Sequence, residues 1–125
     1  MPVVPETANR RTETPNGVMT TLASPTQGQT ESLSLWRVAM NPHAQGPHHV
    51  FDTEQIWTVL AGDAKLLLGE DTVALSAGDT VILPAGTPRQ FTAGDRFEAV
   101  VTGLGTAVVS VLGEPTDRGT PPWIA

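Results

Sequence analysis

The side chains whose types and spacing could together move a proton, hold a metal or bind an anion are His43, His48, His49, Gln55 and Arg89. Imidazole is the usual acid or base near neutral pH and a common ligand for borderline metals. His48 and His49 adjoin in Gly46-Pro47-His48-His49-Val50-Phe51. Neighbours on a strand point to opposite faces. Alternation that turns His49 and Phe51 inward therefore turns His48 and Val50 away, and the two histidines cannot share one interior. His43 sits in the loop Asn41-Pro42-His43-Ala44-Gln45, from which it could reach a mouth. Gln55 carries a neutral amide that both donates and accepts. It suits a carbonyl or hydroxyl better than a metal that needs anionic ligands. Arg89 holds its charge in a protein. Two unit charges a few ångströms apart interact by roughly 4 kcal/mol at an effective dielectric near 20. An inward Arg89 would repel a dication by about twice that and would attract an anion, bidentately if the anion is a carboxylate. An outward Arg89 would instead pair with a surface acid such as Asp95.

The elements that must position these residues read as short strands. Gly17–Ala23 is a first strand. Residues 32–40 alternate, with Leu33, Leu35 and Arg37 on one side and Ser34, Trp36, Val38 and Met40 on the other. Neither side is fully polar, so both are expected to be covered. Residues 56–60 form a strand of β-branched and aromatic type, and Ala61-Gly62-Asp63 reads as a tight turn into residues 64–68. Strands at 72–75, Thr80–Leu83, 90–92, 97–102 and 107–112 follow, separated by Gly- and Asp-containing breaks such as Ala77-Gly78-Asp79 and Ala93-Gly94-Asp95. No run of ten or more residues has helical period. With 12 Gly and 11 Pro placed between apolar runs, the pattern predicts an all-β protein, a two-sheet jelly-roll barrel.

The 125 residues are enough for one core. The expected organisation is a flexible arm over residues 1–16, a barrel over 17–112, and a tail over 113–125 that packs on the barrel or on a partner. A net charge of −6 disfavours nucleic acid and anionic membranes. Cysteine is absent, which excludes thiolate and disulfide chemistry. No signal-peptide pattern and no apolar run near the ~20 residues of a membrane helix is present, so a cytoplasmic location is expected. There is no Gly-rich phosphate loop and no nucleophile-elbow serine motif.

Two stretches together resemble the cupin superfamily. The first ends Gln55-Ile56-Trp57-Thr58-Val59-Leu60-Ala61-Gly62, and the second runs Gly78-Asp79-Thr80-Val81-Ile82-Leu83-Pro84-Ala85-Gly86-Thr87-Pro88-Arg89. The first cupin motif is written HxH, three or four residues, E, six residues, G. Gly62 sets that register and puts Gln55 at the glutamate position, with His49 and Phe51 at the two histidine positions. The second motif is written G, five residues, PxG, two residues, H. Gly78, Pro84 and Gly86 match it, and Arg89 stands where the histidine would be. The resemblance covers roughly residues 30–112 and implies the double-stranded β-helix barrel, a small-molecule site inside it, and a homodimer. Cupins typically hold iron, manganese, zinc or nickel on three histidines and a glutamate, and only His49 of that set is present. A register slip of one would bring His48 and Glu54 into the interior instead.

Three functions follow as expectations. The first is a metal-independent enzyme of isomerase, cyclase or lyase type acting on a small organic anion or ring. His49 would be its acid or base, Arg89 its carboxylate or enolate anchor and Gln55 an orienting hydrogen bonder, with Phe51, Trp36, Trp57, Phe91 and Met40 lining the pocket. The second is a metal-dependent dioxygenase or oxidoreductase using His49, Gln55 and His48 or His43. The third is a ligand-binding or sensor module without turnover.

Overall fold

Residues 3–125 are described by a computed structural model of the chain. Among these residues nine strands curl into one antiparallel sheet that closes on itself as a jelly roll: β1 (Arg10–Thr14), β2 (Gly17–Ala23), β3 (Leu33–Met40), β4 (His49–Phe51), β5 (Gln55–Leu68), β6 (Asp71–Ser76), β7 (Thr80–Leu83), β8 (Arg89–Leu104) and β9 (Val109–Val111). A single 3₁₀ turn, Glu6–Ala8, is the only helical piece among the described residues. No helix among them is long and apolar enough to cross a membrane.

The interior follows from alternation. Trp57 and Val59 of β5, Phe91, Phe97, Ala99 and Val101 of β8, and Trp36 and Val38 of β3 are buried. Trp57 stacks on Phe91 with centroids 4.3 Å apart, and Phe91 stacks on Phe97 at 5.9 Å. The other side of β3 is open, since Leu33, Leu35 and Arg37 are exposed. Among the described residues no other element of this chain covers that face.

Two expectations are corrected by the ladder itself. The breaks at Ala61-Gly62-Asp63 and Ala93-Gly94-Asp95 do not end strands. β5 and β8 run through them as continuous partners, from Gln55↔Gly103 to Leu68↔Arg89, with register shifts at Val59/Ala61 and Gly62/Ala64. A straight ladder of that length would span roughly 45 Å. Yet the side chains of Gln55 and Arg89, near its two ends, meet at 2.8 Å. The bulges bend the ladder back on itself, as extra residues on one strand do. The first half of β5 then pairs with β7 and the second half with β6, which gives the barrel its two layers.

Gly62 permits this bend. Its φ is +75°, and a Cβ built there would lie 1.7 Å from the Arg96 carbonyl oxygen. The loop of the second motif is tied to the strand of the first: the Gly86 amide donates to the Phe51 carbonyl at 2.9 Å.

The N-terminal arm is more ordered than a flexible segment, and the tail packs on the barrel. Residues 10–14, expected as part of an arm, form β1 and pair with β2 from Arg10↔Thr21 to Thr14↔Gly17. The hairpin turns on Pro15-Asn16, with Thr14 paired to Gly17 and proline at the first central position, where type I and II turns favour it. Met1 and Pro2 of that arm lie outside the described residues. The tail returns across the barrel. Ile124 is fully buried. Thr21 Oγ1 donates to the Trp123 carbonyl at 2.6 Å, Ser24 Oγ to Ala125 O at 2.7 Å, and Ser34 Oγ to the Ile124 carbonyl.

A Gly62→Ala variant should lose about 2–5 kcal/mol through backbone strain and collision with Arg96. Denaturant unfolding measures this, and a loss below 1 kcal/mol would show that the bend does not depend on the glycine.

Candidate functional site

Four side chains selected by the sequence pattern converge inside the barrel. His49 and Phe51 come from β4, Gln55 begins β5, and Arg89 begins β8 between them, its backbone paired with both His49 and Leu68. Gln55 and Arg89 are 1 % and 0 % exposed. Glu54 is exposed, so the slipped register that would place His48 and Glu54 inside is not the one adopted.

Arg89 points inward and is nearly without protein partners. Its Nη1 donates to Gln55 Oε1 at 2.8 Å, and its guanidinium carbon lies 4.7 Å from the centroid of the Phe51 ring. Among the described residues no carboxylate pairs with it. Asp95, which an outward Arg89 would have met, instead accepts from His43 Nε2 at 2.8 Å on the surface. Arg89 Nε and Nη2 and Gln55 Nε2 are buried without a hydrogen-bond partner. Burying an ion costs several kcal/mol even after relaxation. One hydrogen bond from a charged group contributes about 1.5–3 kcal/mol, and a ring contact about 0.5–2. Burial alone pushes the Arg89 pKa down to about 10, which still leaves a cation at neutral pH.

Gln55 is oriented by two donors. Its Oε1 accepts from Arg89 and also from Trp57 Nε1 at 3.2 Å. With the oxygen occupied, its free group is the Nε2 amide, a donor only. Trp36 closes on the same end of β8, since its Cη2 and Gln55 Cγ both lie beside Gly103.

His49 is held in one tautomer. Its Nδ1 lies 2.8 Å from the Pro47 carbonyl, which can only accept, so Nδ1 carries the proton and Nε2 is left as an acceptor. Burial, with the Arg89 charge second, lowers its pKa to about 4. At neutral pH His49 is therefore an uncharged hydrogen-bond acceptor or base and not an acid. Its ring meets Phe51 edge-on with centroids 5.4 Å apart.

A cavity of about 260 Å³ opens beside His49 and Phe51, and neither Gln55 nor Arg89 lines it. His49 and Phe51 of β4, Val109 and Val111 of β9, and residues 120–123 of the tail line it. The tail's share was not foreseen: the stiffness of Pro121-Pro122 was legible, but its place over the cavity was not. Arg118 also lines it, but two hydrogen bonds to Glu114, at 2.9 and 2.5 Å, occupy its guanidinium. Of the residues expected to line a pocket, Phe51 borders this cavity. Trp36, Trp57 and Phe91 are packed in the core, and Met40 packs against that core away from the cavity.

The donor set does not fit the divalent metal that the resemblance implies. The four corresponding positions hold one imidazole, a phenyl ring, a neutral amide already bonded through its oxygen, and a fixed cation. His43 is engaged with Asp95 outside. His48 is half-buried on the outward-facing side of the strand, and its Nε2 has no partner. Among the described residues no group of three His, Cys, Asp or Glu is placed to hold an ion.

The family model described as the cupin domain matches residues 36–109. No curated protein matches the sequence. Among solved structures, an RmlC-like cupin from Shewanella frigidimarina is 14% identical, with a TM-score of 0.71 over 82% of this chain and 88% of that one. Salicylate 1,2-dioxygenase from Pseudoaminobacter salicylatoxidans, in an adduct with gentisate, is 15% identical, with a TM-score of 0.71 over 84% of this chain and 31% of the enzyme. An oxalate decarboxylase from Bacillus subtilis is 15% identical, with a TM-score of 0.69 over 77% of this chain and 27% of the enzyme. The chain thus spans less than a third of either enzyme, and at these identities the likeness establishes the fold.

The depressed His49 pKa has a consequence for stability. Between pH 6.5 and 4 the unfolded imidazole binds a proton that the folded one does not, so acidification through this window favours unfolding. Melting temperatures taken from pH 7 to pH 4 should fall more steeply for the native chain than for His49→Gln. Equal slopes would contradict a neutral buried His49.

Proposed function

The chain belongs to the cupin family, and from that premise we propose that it binds a small organic anion inside its barrel and does so without a metal. The observation that carries this reading is the guanidinium of Arg89, fully buried with two nitrogens unpartnered. A bound anion would supply the missing acceptor and the missing counter-charge at once.

The chemistry that this set can support is proton transfer. Arg89 would hold the anion and stabilise negative charge developing next to it, as fixed donors in a dry site do. Gln55 Nε2 would donate a further hydrogen bond. His49 Nε2, unprotonated and fixed by Pro47, would accept a proton from the ligand. An isomerisation, cyclisation or elimination that begins with such an abstraction is the reaction class proposed. No step in it runs through a metal.

A second reading is favoured by the pKa of about 4 at His49. A base that weak abstracts protons poorly near neutral pH unless the bound anion raises its pKa, and without that rise the site is a binding module. The two readings share the ligand and differ in its fate.

Organic acids released on denaturing freshly purified protein, identified by mass spectrometry, test the proposal. The native chain should carry an acid that Arg89→Met does not. The same acids at the same yield from both would overturn it. Returned to the native chain, that acid comes back changed if the protein is an enzyme, and His49→Ala should slow the change at least a hundredfold.

A further inference from the structure

We propose that two copies of this chain pack against each other, about a two-fold axis, through the outer face of β3, β8, β5 and β7. The side chains of that face point away from the barrel interior and from Arg89.

Register puts the apolar side chains of this face side by side. Leu33, Leu35, Ile56, Ile82 and Leu104 are all exposed, Ile82 most at 59 %. Leu35 pairs with Thr102, Thr102 with Ile56, and Ile56 with Ile82, so one row crosses four strands. Leu33 and Leu104, paired with each other, stand beside that row on the same face. Directly paired side chains on one face lie about 4.5–5.5 Å apart, so the surface is contiguous. Single exposed leucines are ordinary, but a joined patch on a sheet marks a surface that another body covers.

Covering this face would strand few polar groups. Thr102 Oγ1 donates to the Ser34 carbonyl at 3.0 Å, and the hydroxyls of Thr58 and Thr80 bond each other at 2.8 Å. The threonines among the apolar residues therefore already have partners within the chain, and the hydrogen-bond cost of removing water from them is small. A second sheet can then lie about 10 Å above, face to face.

The charges at the borders of the face suit a second copy. Arg37 lies beyond Leu35 on β3, in the row of Val100 and Thr58. Glu54 lies at the opposite border, lining a groove with Leu33, Ile56 and Leu104. Among the described residues neither Arg37 nor Glu54 is in an ion pair. Glu98, farther along β8, is neutralised by Arg96 at 2.8 Å. A two-fold interface must be self-complementary. One unpaired cation and one unpaired anion on opposite borders meet that condition. An axis between the two sheets, midway between these residues, brings each Arg37 to the Glu54 of the other copy. The chain carries −6 overall, yet these two charges cancel, so like-charged copies repel least across this face.

Sedimentation equilibrium tests the proposal on the native chain and on Leu35→Lys, Ile56→Lys, Arg37→Glu, Glu54→Arg and the last two combined. At about 50 µM the native chain should be a dimer, since interfaces of standard size hold at micromolar affinity or tighter. Either lysine should weaken the dimer about a hundredfold by placing an unpaired charge in the apolar row. Each charge reversal alone should weaken it about tenfold, and the combination should return it to within about threefold of native. Ile82→Lys, at the most exposed of these positions, replaces either lysine variant whose circular dichroism is not that of the folded sheet. A monomeric native chain, or a dimer as tight with the lysines as without them, would overturn the proposal. A dimer lost to the lysines but indifferent to the charge reversals would overturn the pairing of Arg37 with Glu54, and with it the axis.

Discussion

One hydrogen bond, from Arg89 Nη1 to Gln55 Oε1 at 2.8 Å, joins the two ends of the longest ladder in the protein across the barrel interior. It is the only hydrogen bond that the guanidinium makes to the described residues, and it links a full charge to a neutral amide. A cation buried in this way is poorly compensated by its surroundings. The fold keeps it there because the β5–β8 pairing leaves Arg89 no route outward: its backbone is paired on both sides and its neighbours in the ladder alternate strictly. The site is therefore a place where the chain retains an electrostatic cost that Gln55 and the Phe51 ring only partly offset.

The same ladder explains why the site is enclosed. Bending at Gly62 brings the two halves of β5 into different layers, so that residues far apart in sequence face one interior. The tail completes the enclosure. Thr21, Ser24 and Ser34 are buried hydroxyls on β2, the loop after it, and β3, and each spends its proton on a carbonyl of residues 123–125. Buried polar groups need such partners, so the tail satisfies the barrel as much as the barrel holds the tail. Residues 120–122, next to these anchors, are then fixed over the cavity that His49 and Phe51 border.

Much of the site could be read from the sequence, because strand alternation and one glycine set a register. With Gly62 at its motif position, strand alternation puts His49, Phe51, Gln55 and Arg89 on the inner side, and Arg89 does meet Gln55 and Phe51 there. Gly17–Ala23 and Thr80–Leu83 were also legible, being bounded by residues that end strands for local reasons. Features set by distant partners are not legible locally. Ala61-Gly62-Asp63 has the composition of a turn, but β8 continues alongside and holds the backbone in the ladder, so the chain bends without reversing. Residues 10–14 lack an apolar alternation, and their place in the sheet comes from pairing with β2 across the Pro15-Asn16 turn. The cavity's outer wall was illegible because nothing local to Pro121-Pro122-Trp123 says which end of the barrel it will cross.

The position of Arg89 and what surrounds it decide the chemistry of this interior. A high-resolution crystal structure of protein purified without added metal, with anomalous data collected at the edges of iron, nickel and zinc, tests it most directly. The account predicts Arg89 inside the barrel on Gln55, with an anion or ordered water on its Nε and Nη2. An anomalous peak on His49, with Arg89 swung out toward solvent, would contradict it.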